Sequence, residues 1–209
     1  MKFYDCATAP SPRRVRIFAA EKGIELDTVQ VDLSNGEQFS EEFRAINPDC
    51  VVPALVLDDG TCLSEVSAIC QYLEEFKPEP TLWGSNATER ALATSWNAKA
   101  EQQGLTGMAE AFRNSTPGLK GRALPGPDGY EQIPELAERG RRRVQNFFAK
   151  LDAQLAGNEF VAGSHFSIAD ITALVFVDFA RRARIRPPES LTNLKRWYDD
   201  IASRPSATA

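Results

Sequence analysis

The start of the chain alternates between stretches with a strand pattern and stretches with a helical pattern. "KFYDC" is a short run of strand-forming residues, and "ELDTVQVDL" alternates apolar and polar positions as a strand does. Between them, "SPRRVRIFAAEKGI" has helical periodicity and ends at Gly23, which suits a left-handed helix C-cap. "SEEFRAIN" then predicts a short helix that ends before Pro48.

A hairpin and a third helix complete this first region. "VVPALVLDDGTCLSE" predicts two strands joined at Asp59-Gly60, a dipeptide typical of hairpin turns. "EVSAICQYLEEF" repeats apolar residues every three or four positions and predicts a helix. The order β-α-β-α-β-β-α predicts an α/β domain over residues 1–76.

The pattern changes after this domain and becomes helical. Residues 77–87, "KPEPTLWGSNA", contain two prolines and a glycine and interrupt every periodicity, as a linker does. Residues 88–209 show helical periodicity almost throughout, apart from the Pro/Gly-rich stretch "TPGLKGRALPGPDGYEQIP". The sequence therefore predicts an α/β domain, a linker and a second domain that is entirely α-helical.

Composition and charge favour a soluble globular protein over a secreted, membrane or nucleic-acid-binding one. The 209 residues are 43% hydrophobic and 25% charged, which is typical of a soluble globular protein. "MKFYDCATAP" lacks the apolar core of a signal peptide, and no apolar run is long enough to cross a membrane, so we expect a cytoplasmic protein. The net charge of −5 and the pI of about 5.1 argue against nucleic acid as a partner.

The cysteines and the single histidine do not suggest a metal site. Cys6, Cys50, Cys62 and Cys70 lack the spacing of zinc ligands, and His165 is isolated in a predicted loop. In a cytoplasmic chain we expect the four thiols to be reduced and mostly buried. No metal is therefore expected.

The stretch "APSPRR" is a candidate for sulfur chemistry. Pro10 and Pro12 suit a helix start, so we expect the first helix to begin near Ser11 or Pro12. The N-terminus of a helix carries a positive potential of roughly half a charge, which would stabilise a thiolate placed beside it.

Three motifs give the chain a resemblance to a known family. "NPDCVVPAL" (47–55), "LSEVSAICQYLEE" (63–75) and "FVAGSHFSIADITAL" (160–174) resemble motifs of the glutathione transferase superfamily. "YDCATAPSPRRVRIFAAEKGI" and "FRNSTPGLKGR" are similar to its bacterial and fungal theta-like and zeta-like branch. The resemblance implies a thioredoxin-like domain followed by a helical domain, glutathione as co-substrate, a small hydrophobic electrophile as second substrate, and a homodimer.

The resemblance also implies where glutathione would bind. It implies a cis peptide bond at Val52-Pro53, which turns the Val52 backbone toward an extended peptide. It assigns the γ-glutamyl carboxylate to the turn that opens the next helix, at Glu65, Val66 and Ser67.

Four positions depart from the family pattern. Gln38 stands where a histidine or lysine would meet the glycine carboxylate of glutathione, and Cys50 replaces a glycine. Val51 and Val66 replace polar residues. Because each change removes a polar contact or alters the turn, we expect weaker glutathione binding than in a typical member.

The position of the catalytic serine is also changed. In theta-like and zeta-like members that serine aligns with Ala9, which cannot donate a hydrogen bond. The nearest donor is Ser11, with Tyr4 and Cys6 as weaker candidates. We therefore expect Ser11, together with backbone N–H groups or a water, to stabilise the glutathione thiolate.

The second domain is expected to bind the electrophile next to Ala9. Near the end of a predicted helix, Met108, Phe112, Asn114 and Ser115 combine apolar and polar groups, as a hydrophobic substrate site needs. The spacing of Met108 and Phe112 is equally typical of two core residues. By contrast, "FSIADITAL" predicts a structural capping box between Ser167 and Asp170.

Three other functions remain open at this stage. The chain could bind glutathione, an apolar ligand or a partner protein without turnover, because the predicted site has lost polar groups. It could instead be a glutathione-dependent thiol transferase that uses Cys6. A glutathione-dependent cis-trans isomerase is disfavoured because "TAPSPRR" lacks the serine- and cysteine-rich corner of that class.

Overall fold

A computed structural model describes residues 1–209, which form two compact units. The first unit comprises Met1–Pro80, Leu124–Asp128 and Ala209. The second comprises Thr81–Ala123 and Gly129–Thr208.

The first unit contains a four-stranded sheet and three helices. Its elements in chain order are β1 (Lys2–Asp5), α1 (Pro10–Lys22), β2 (Asp27–Gln30), α2 (Glu41–Ile46), β3 (Ala54–Val56), β4 (Cys62–Ser64) and α3 (Val66–Phe76). The strand order is β2-β1-β3-β4, in which β1 is parallel to β2 and antiparallel to β3. The predicted order β-α-β-α-β-β-α is confirmed, with an additional turn of 3-10 helix at Glu37–Phe39.

Burial explains why these segments form this sheet. Phe3 of β1 lies opposite Leu55 of β3, and both side chains are completely buried. Val15 of α1 and Ile69 of α3 are also inaccessible to solvent, so the two helices bury their apolar faces. β2 is an edge strand with mostly exposed side chains, and it is shorter than the alternating pattern predicts.

Helix α1 begins earlier than the sequence predicts and ends where it predicts. Its first residue is Pro10 rather than Ser11 or Pro12, because Ala9 is still extended at φ −85° and a proline is well tolerated at the first helical position. Gly23 is left-handed at φ 58°, and its N–H caps the carbonyls of Ala19 and Ala20.

The second unit is α-helical. Its helices are α4 (Ala87–Lys99), α5 (Thr106–Arg113), α6 (Pro134–Leu155), α7 (Ile168–Arg182) and α8 (Thr192–Ala202). A π-helical segment at 100–105 joins α4 to α5. Helix α7 is the centre of this unit, since every residue from Ile168 to Val177 is buried. None of the helices is both long enough and apolar enough to span a membrane.

The predicted capping box opens α7. Ser167 Oγ accepts a hydrogen bond from the Ala169 N–H, and the Asp170 carboxylate accepts one from the Ser167 N–H. Asp170 also accepts hydrogen bonds from the Val161 N–H and the Trp197 indole N–H, each at 2.9 Å. This carboxylate therefore joins the loop before α7, the start of α7 and helix α8.

Candidate functional site

The junction of β1 and α1 presents one backbone donor. Pro10 and Pro12 have no N–H, so Ser11 carries the only N–H group among the first three residues of α1. The Ala9 N–H is already bound to the Cys6 carbonyl at 2.9 Å. The Ser11 side chain is half-buried and makes no hydrogen bond within the protein. Both its hydroxyl and its N–H can therefore serve a ligand at the positive end of the helix.

A closed ring of hydrogen bonds holds the loop that precedes this junction. Gln30 Oε1 accepts from the Ala7 N–H at 2.9 Å, and Arg16 donates to the Ala7 carbonyl at 3.2 Å. Asp5 holds both of these side chains, since its oxygens lie 2.5 Å from Arg16 Nη1 and 2.7 Å from Gln30 Nε2. The loop position is thus fixed by three side chains from β1, α1 and β2.

The loop before β3 is fixed by Asn47. Its amide donates to the Val51 carbonyl at 2.9 Å, and its oxygen accepts from the Asp49 N–H at 3.2 Å. Cys50 is left-handed at φ 54°, a conformation that favours glycine. The Val52-Pro53 peptide bond is cis, as the resemblance implies.

The turn between β4 and α3 has an unusual backbone. Glu65 has φ 68° and ψ 127°, a combination that non-glycine residues rarely adopt, and its side chain is exposed. It immediately precedes α3, so Val66 and Ser67 are the first two residues of that helix. Val66 is buried, while Ser67 is half-buried. Unfavourable backbone conformations of this kind are concentrated at functional sites.

Gln38 is buried, although glutamine is usually exposed. Its side chain lies in the 3-10 turn and is 4% exposed, and its Oε1 has no hydrogen-bond partner. A buried acceptor without a partner is energetically costly unless a ligand or water supplies a donor. Gln38 is therefore suited to accept a hydrogen bond from a ligand.

In the second unit, three of the predicted substrate residues line a cavity of about 660 Å³. Phe112 and Ser115 form part of its wall. Met108 lines the cavity as well, although its side chain is completely buried. Asn114 is buried too, and its polar groups are satisfied within the protein. Its amide donates to the Glu110 carbonyl, and its oxygen accepts from the Ile133 N–H. Asn114 therefore holds the end of α5 to the segment that precedes α6.

The cysteines are less buried than expected. All four are free thiols, but Cys62 is exposed on β4 and Cys6 is half-buried, whereas Cys50 and Cys70 are buried. The expectation of burial is wrong for Cys62 because β4 is an edge strand and this position faces solvent. Cys6 lies directly after β1, before the start of α1, and contacts the Thr8 hydroxyl at 3.5 Å.

Sequence reasoning missed several residues around these sites. Arg16 and Gln30 lie 11 and 25 positions from Asp5 in the sequence, so no local spacing indicates that the three side chains meet. Three arginines also line the cavity of the second unit, at positions 141, 182 and 184. The basic run "RGRRR" (139–143) is a local signal for the first of them.

Comparisons with known proteins cover nearly the whole chain. Family profiles for the N-terminal and C-terminal domains of glutathione S-transferase match residues 8–75 and 111–205. Glutathione S-transferase 2 of Saccharomyces cerevisiae is 35% identical over 209 residues, which span 99% of this chain and 87% of the relative.

Two solved structures agree with these matches. A glutathione S-transferase domain-containing protein of Marinobacter aquaeolei is 40% identical, with a TM-score of 0.91 and 99% of each chain covered. A class Gtt2 glutathione S-transferase of Vibrio parahaemolyticus is 34% identical, with a TM-score of 0.83, and the match covers 99% of this chain and 94% of that one.

Proposed function

The chain belongs to the glutathione S-transferase family, and from that membership we propose that it is a glutathione transferase acting on small hydrophobic electrophiles. The first unit has the thioredoxin-like fold and the second is the helical domain of this family. The observation that carries the proposal is the start of α1, where a hydroxyl and an N–H of one residue lie at the positive end of a helix.

Ser11 is the proposed catalytic residue. The glutathione sulfur attacks as a thiolate, so a group that stabilises negative charge on sulfur raises the reactive fraction at neutral pH. The Ser11 hydroxyl and N–H would donate to that sulfur, and the helix potential favours the same charge. Ala9, which replaces the usual serine, leaves space beside the sulfur for the electrophile.

The remaining glutathione contacts follow the backbone features of the first unit. The Val52 backbone, next to the cis Pro53, would pair with the peptide part of glutathione. The turn at Glu65, Val66 and Ser67 would bind the γ-glutamyl end. Gln38 would face the glycine end and donate to its carboxylate through the side-chain amide N–H, where a neutral amide replaces a cation; its unpaired oxygen would accept from a peptide N–H of glutathione.

The electrophile site is proposed at the cavity of the second unit. Phe112 and Ser115 would contact the electrophile directly, since they line the cavity. Met108 would form a buried part of the same wall, and Asn114 would position the wall through the hydrogen bond that it accepts from the Ile133 N–H. In this proposal, some residues contact the electrophile and others hold the wall in position.

We also propose the following organisation. Residues 1–76 are the glutathione-binding domain, 77–87 the linker and 88–209 the helical domain. Phe76 is 59% exposed and stacks on Tyr72 at a centroid distance of 6.3 Å, so α3 presents apolar surface suited to a homodimer. The four free thiols suit a reducing compartment, which supports a cytoplasmic location.

The experiment that tests the function is a calorimetric titration with reduced glutathione, combined with the ultraviolet absorbance of the bound thiolate near neutral pH. We expect binding weaker than low micromolar, because of the changes at Gln38, Cys50, Val51 and Val66, and a thiolate signal. Ser11→Ala should reduce kcat/KM by roughly tenfold or more, since one donor to the charged sulfur is removed. Ser164→Ala, an exposed loop residue, is the matched control.

The assay also separates the alternatives. No glutathione binding at millimolar concentration would contradict the proposal and leave a ligand- or partner-binding protein. Binding without conjugation of a chlorinated nitroaromatic would indicate a protein without turnover. Disulfide reductase activity that is lost in Cys6→Ser would instead identify a thiol transferase.

A further inference from the structure

The cavity of the second unit that contains Phe112 and Ser115 has a positively charged wall. Arg141 of α6, Arg182 at the end of α7 and Arg184 just beyond it all line this cavity of about 660 Å³. None of its lining residues is an aspartate or glutamate. In a chain with a net charge of −5, three guanidinium groups around one cavity are a local reversal of the overall charge.

Neighbouring arginines are paired with acidic residues, whereas Arg141 is not. On the same helix, Arg139 and Arg143 each lie 2.8 Å from the Glu110 carboxylate. Arg141 lies between them in sequence and makes no ion pair. The charge of Arg141 is therefore not used to hold α6 to α5.

A second cavity in the same unit provides a comparison. It has a volume of about 830 Å³ and is lined by basic side chains, including Arg186 and Lys195. It is also lined by Glu189 and Asp199, so acidic and basic groups occur together there. The absence of acidic lining residues thus distinguishes the cavity at Phe112.

The backbone at Arg184 adds an independent observation. Arg184 is left-handed at φ 62°, and the Ile185 N–H that follows it donates to the Ala180 carbonyl at 2.9 Å, which closes the C-terminus of α7. Glycine is favoured at such a position because other residues are strained there. Compared with glycine, an arginine at this position has a less favourable backbone conformation, and the feature it provides in exchange is a side chain that lines the cavity.

Most of the remaining wall is apolar. Ala111, Phe112 and Ile185 line the cavity beside the arginines. Phe112 is fixed by an edge-to-face contact with Phe179 at 5.5 Å between ring centroids. The Ser115 hydroxyl is neutral and donates to the Ala111 carbonyl. An apolar wall beside the guanidinium groups of Arg141 and Arg184, neither of which pairs with an acidic residue, suits a molecule with an apolar body and an anionic group.

We propose that this cavity selects electrophiles that carry a carboxylate or a chemically similar anion on an aromatic or aliphatic body. This inference rests on the proposed function, since it names the substrate class of the proposed electrophile site. In the reaction, the thiolate sulfur supplies the electron pair of the new carbon–sulfur bond, and the leaving halide takes the pair of the bond that breaks. The arginines take no part in these bond changes and act by binding the anionic end of the substrate.

The test compares a chloronitrobenzoate with the corresponding chloronitrobenzamide, which has the same shape without the charge. Binding of each to the full chain is measured by calorimetry without glutathione, followed by conjugation rates with glutathione. We expect the benzoate to bind roughly tenfold more tightly than the benzamide, as a charge-assisted hydrogen bond to a guanidinium should give. The preference should weaken at high salt.

Two variants and one control locate the effect. Arg141→Gln and Arg184→Gly should each reduce benzoate affinity about fivefold to tenfold and leave benzamide affinity unchanged. Arg184→Gly suits the left-handed backbone, so loss of folding cannot explain its effect. Arg142→Gln is the matched control, because Arg142 is exposed on the same helix and does not line the cavity.

The outcomes separate this inference from the proposed function. Equal affinity for benzoate and benzamide, or an equal loss in Arg142→Gln, would overturn the inference. If glutathione still bound and conjugation of a neutral electrophile still occurred, the proposed function would stand without it. Benzoate binding that depends on Arg141 in a protein unable to bind glutathione would support the anion site and contradict the transferase function.

Discussion

Asp170 shows how one residue can be both predicted and underestimated from sequence. The spacing from Ser167 predicts the capping box, but nothing local indicates that Trp197 and the Val161 N–H also donate to the same carboxylate. Complete burial raises the pKa of Asp170 to about 6, and these hydrogen bonds only partly oppose that increase.

The raised pKa predicts a pH-dependent free energy of unfolding. The folded pKa lies above the unfolded value of 3.8, so the folded protein binds the proton more tightly. The stabilisation from this group is complete below the unfolded pKa and is lost as pH rises through about 6. Relative to Asp170→Asn, which does not titrate, the wild type should lose about 3 kcal/mol of stability between a pH below 3.8 and neutral pH.

Urea unfolding of the two proteins across that range measures the difference. Asp199→Asn, at an exposed carboxylate, serves as the control and should follow the wild type. A wild-type stability that rises with pH relative to Asp170→Asn would contradict the assigned direction of the pKa shift.

At the scale of elements, helices α5 and α6 approach closely at Gly140. A Cβ atom at this position would lie 2.5 Å from the Ala111 nitrogen and 2.6 Å from the Gly107 carbonyl oxygen. Both are backbone atoms of α5, which cannot move aside as a flexible side chain can. The two helices can therefore pack at this distance only with glycine at 140.

We expect Gly140→Ala to destabilise the protein by about 3 kcal/mol, although alanine favours a helix more than glycine does. The clash with the α5 backbone outweighs that preference. Chemical denaturation measures the change. Gly157→Ala is the control, because no atom lies within 4 Å of its Cβ, and a similar loss in both variants would argue against close packing as the cause.

Among the elements, helices with one apolar face could be predicted from the sequence, whereas features that depend on tertiary packing could not. The periodicity of "VRIFAAEK" and "ICQYLEEF" indicates α1 and α3 because each buries one apolar face. The π-helical segment at 100–105 was not predicted, because it follows from tertiary packing: Gly104 fits against Phe147 and Phe176, where a Cβ would lie 2.9 and 3.0 Å from their rings. The early start of α1 at Pro10 depends on the backbone of Ala9, which proline preferences alone do not fix.

At the scale of the whole molecule, Lys22 holds the end of the first unit in place. Its ammonium is buried and donates to the carbonyls of Lys77, Pro78 and Pro80 at 2.7–2.9 Å. It also lies 2.5 Å from the Glu74 carboxylate of α3. One α1 side chain thus fixes both α3 and the segment through which the chain leaves this unit.

Lys22→Met should lower the free energy of unfolding by about 3–5 kcal/mol, since it leaves a partly buried carboxylate and three carbonyls without their partner. Lys195→Met is the matched control. Lys195 and Asp199 are also 2.5 Å apart, but both are exposed, so its loss should cost less than about 1 kcal/mol. Equal effects in denaturant unfolding would show that burial is not what makes the Lys22 pair strong.

For the candidate sites, as for the fold, local features could be predicted from the sequence and tertiary contacts could not. The family resemblance implied the cis Pro53 and the binding turn at Glu65, because the motifs that carry it are runs of consecutive residues. The ring at Asp5 and the arginines at 141 and 184 were not predicted, because tertiary structure brings distant positions together. Sequence reasoning thus finds local chemistry and misses what packing assembles.

The hydrogen-bond ring around Ala7 has a consequence for how the catalytic position can change over evolution. The ring and the two prolines fix the backbone up to residue 9 without using the Ala9 side chain. A hydroxyl introduced at residue 9 would therefore enter a backbone that is already ordered. At this position, a single exchange of alanine for serine would restore the hydroxyl of the serine-bearing pattern.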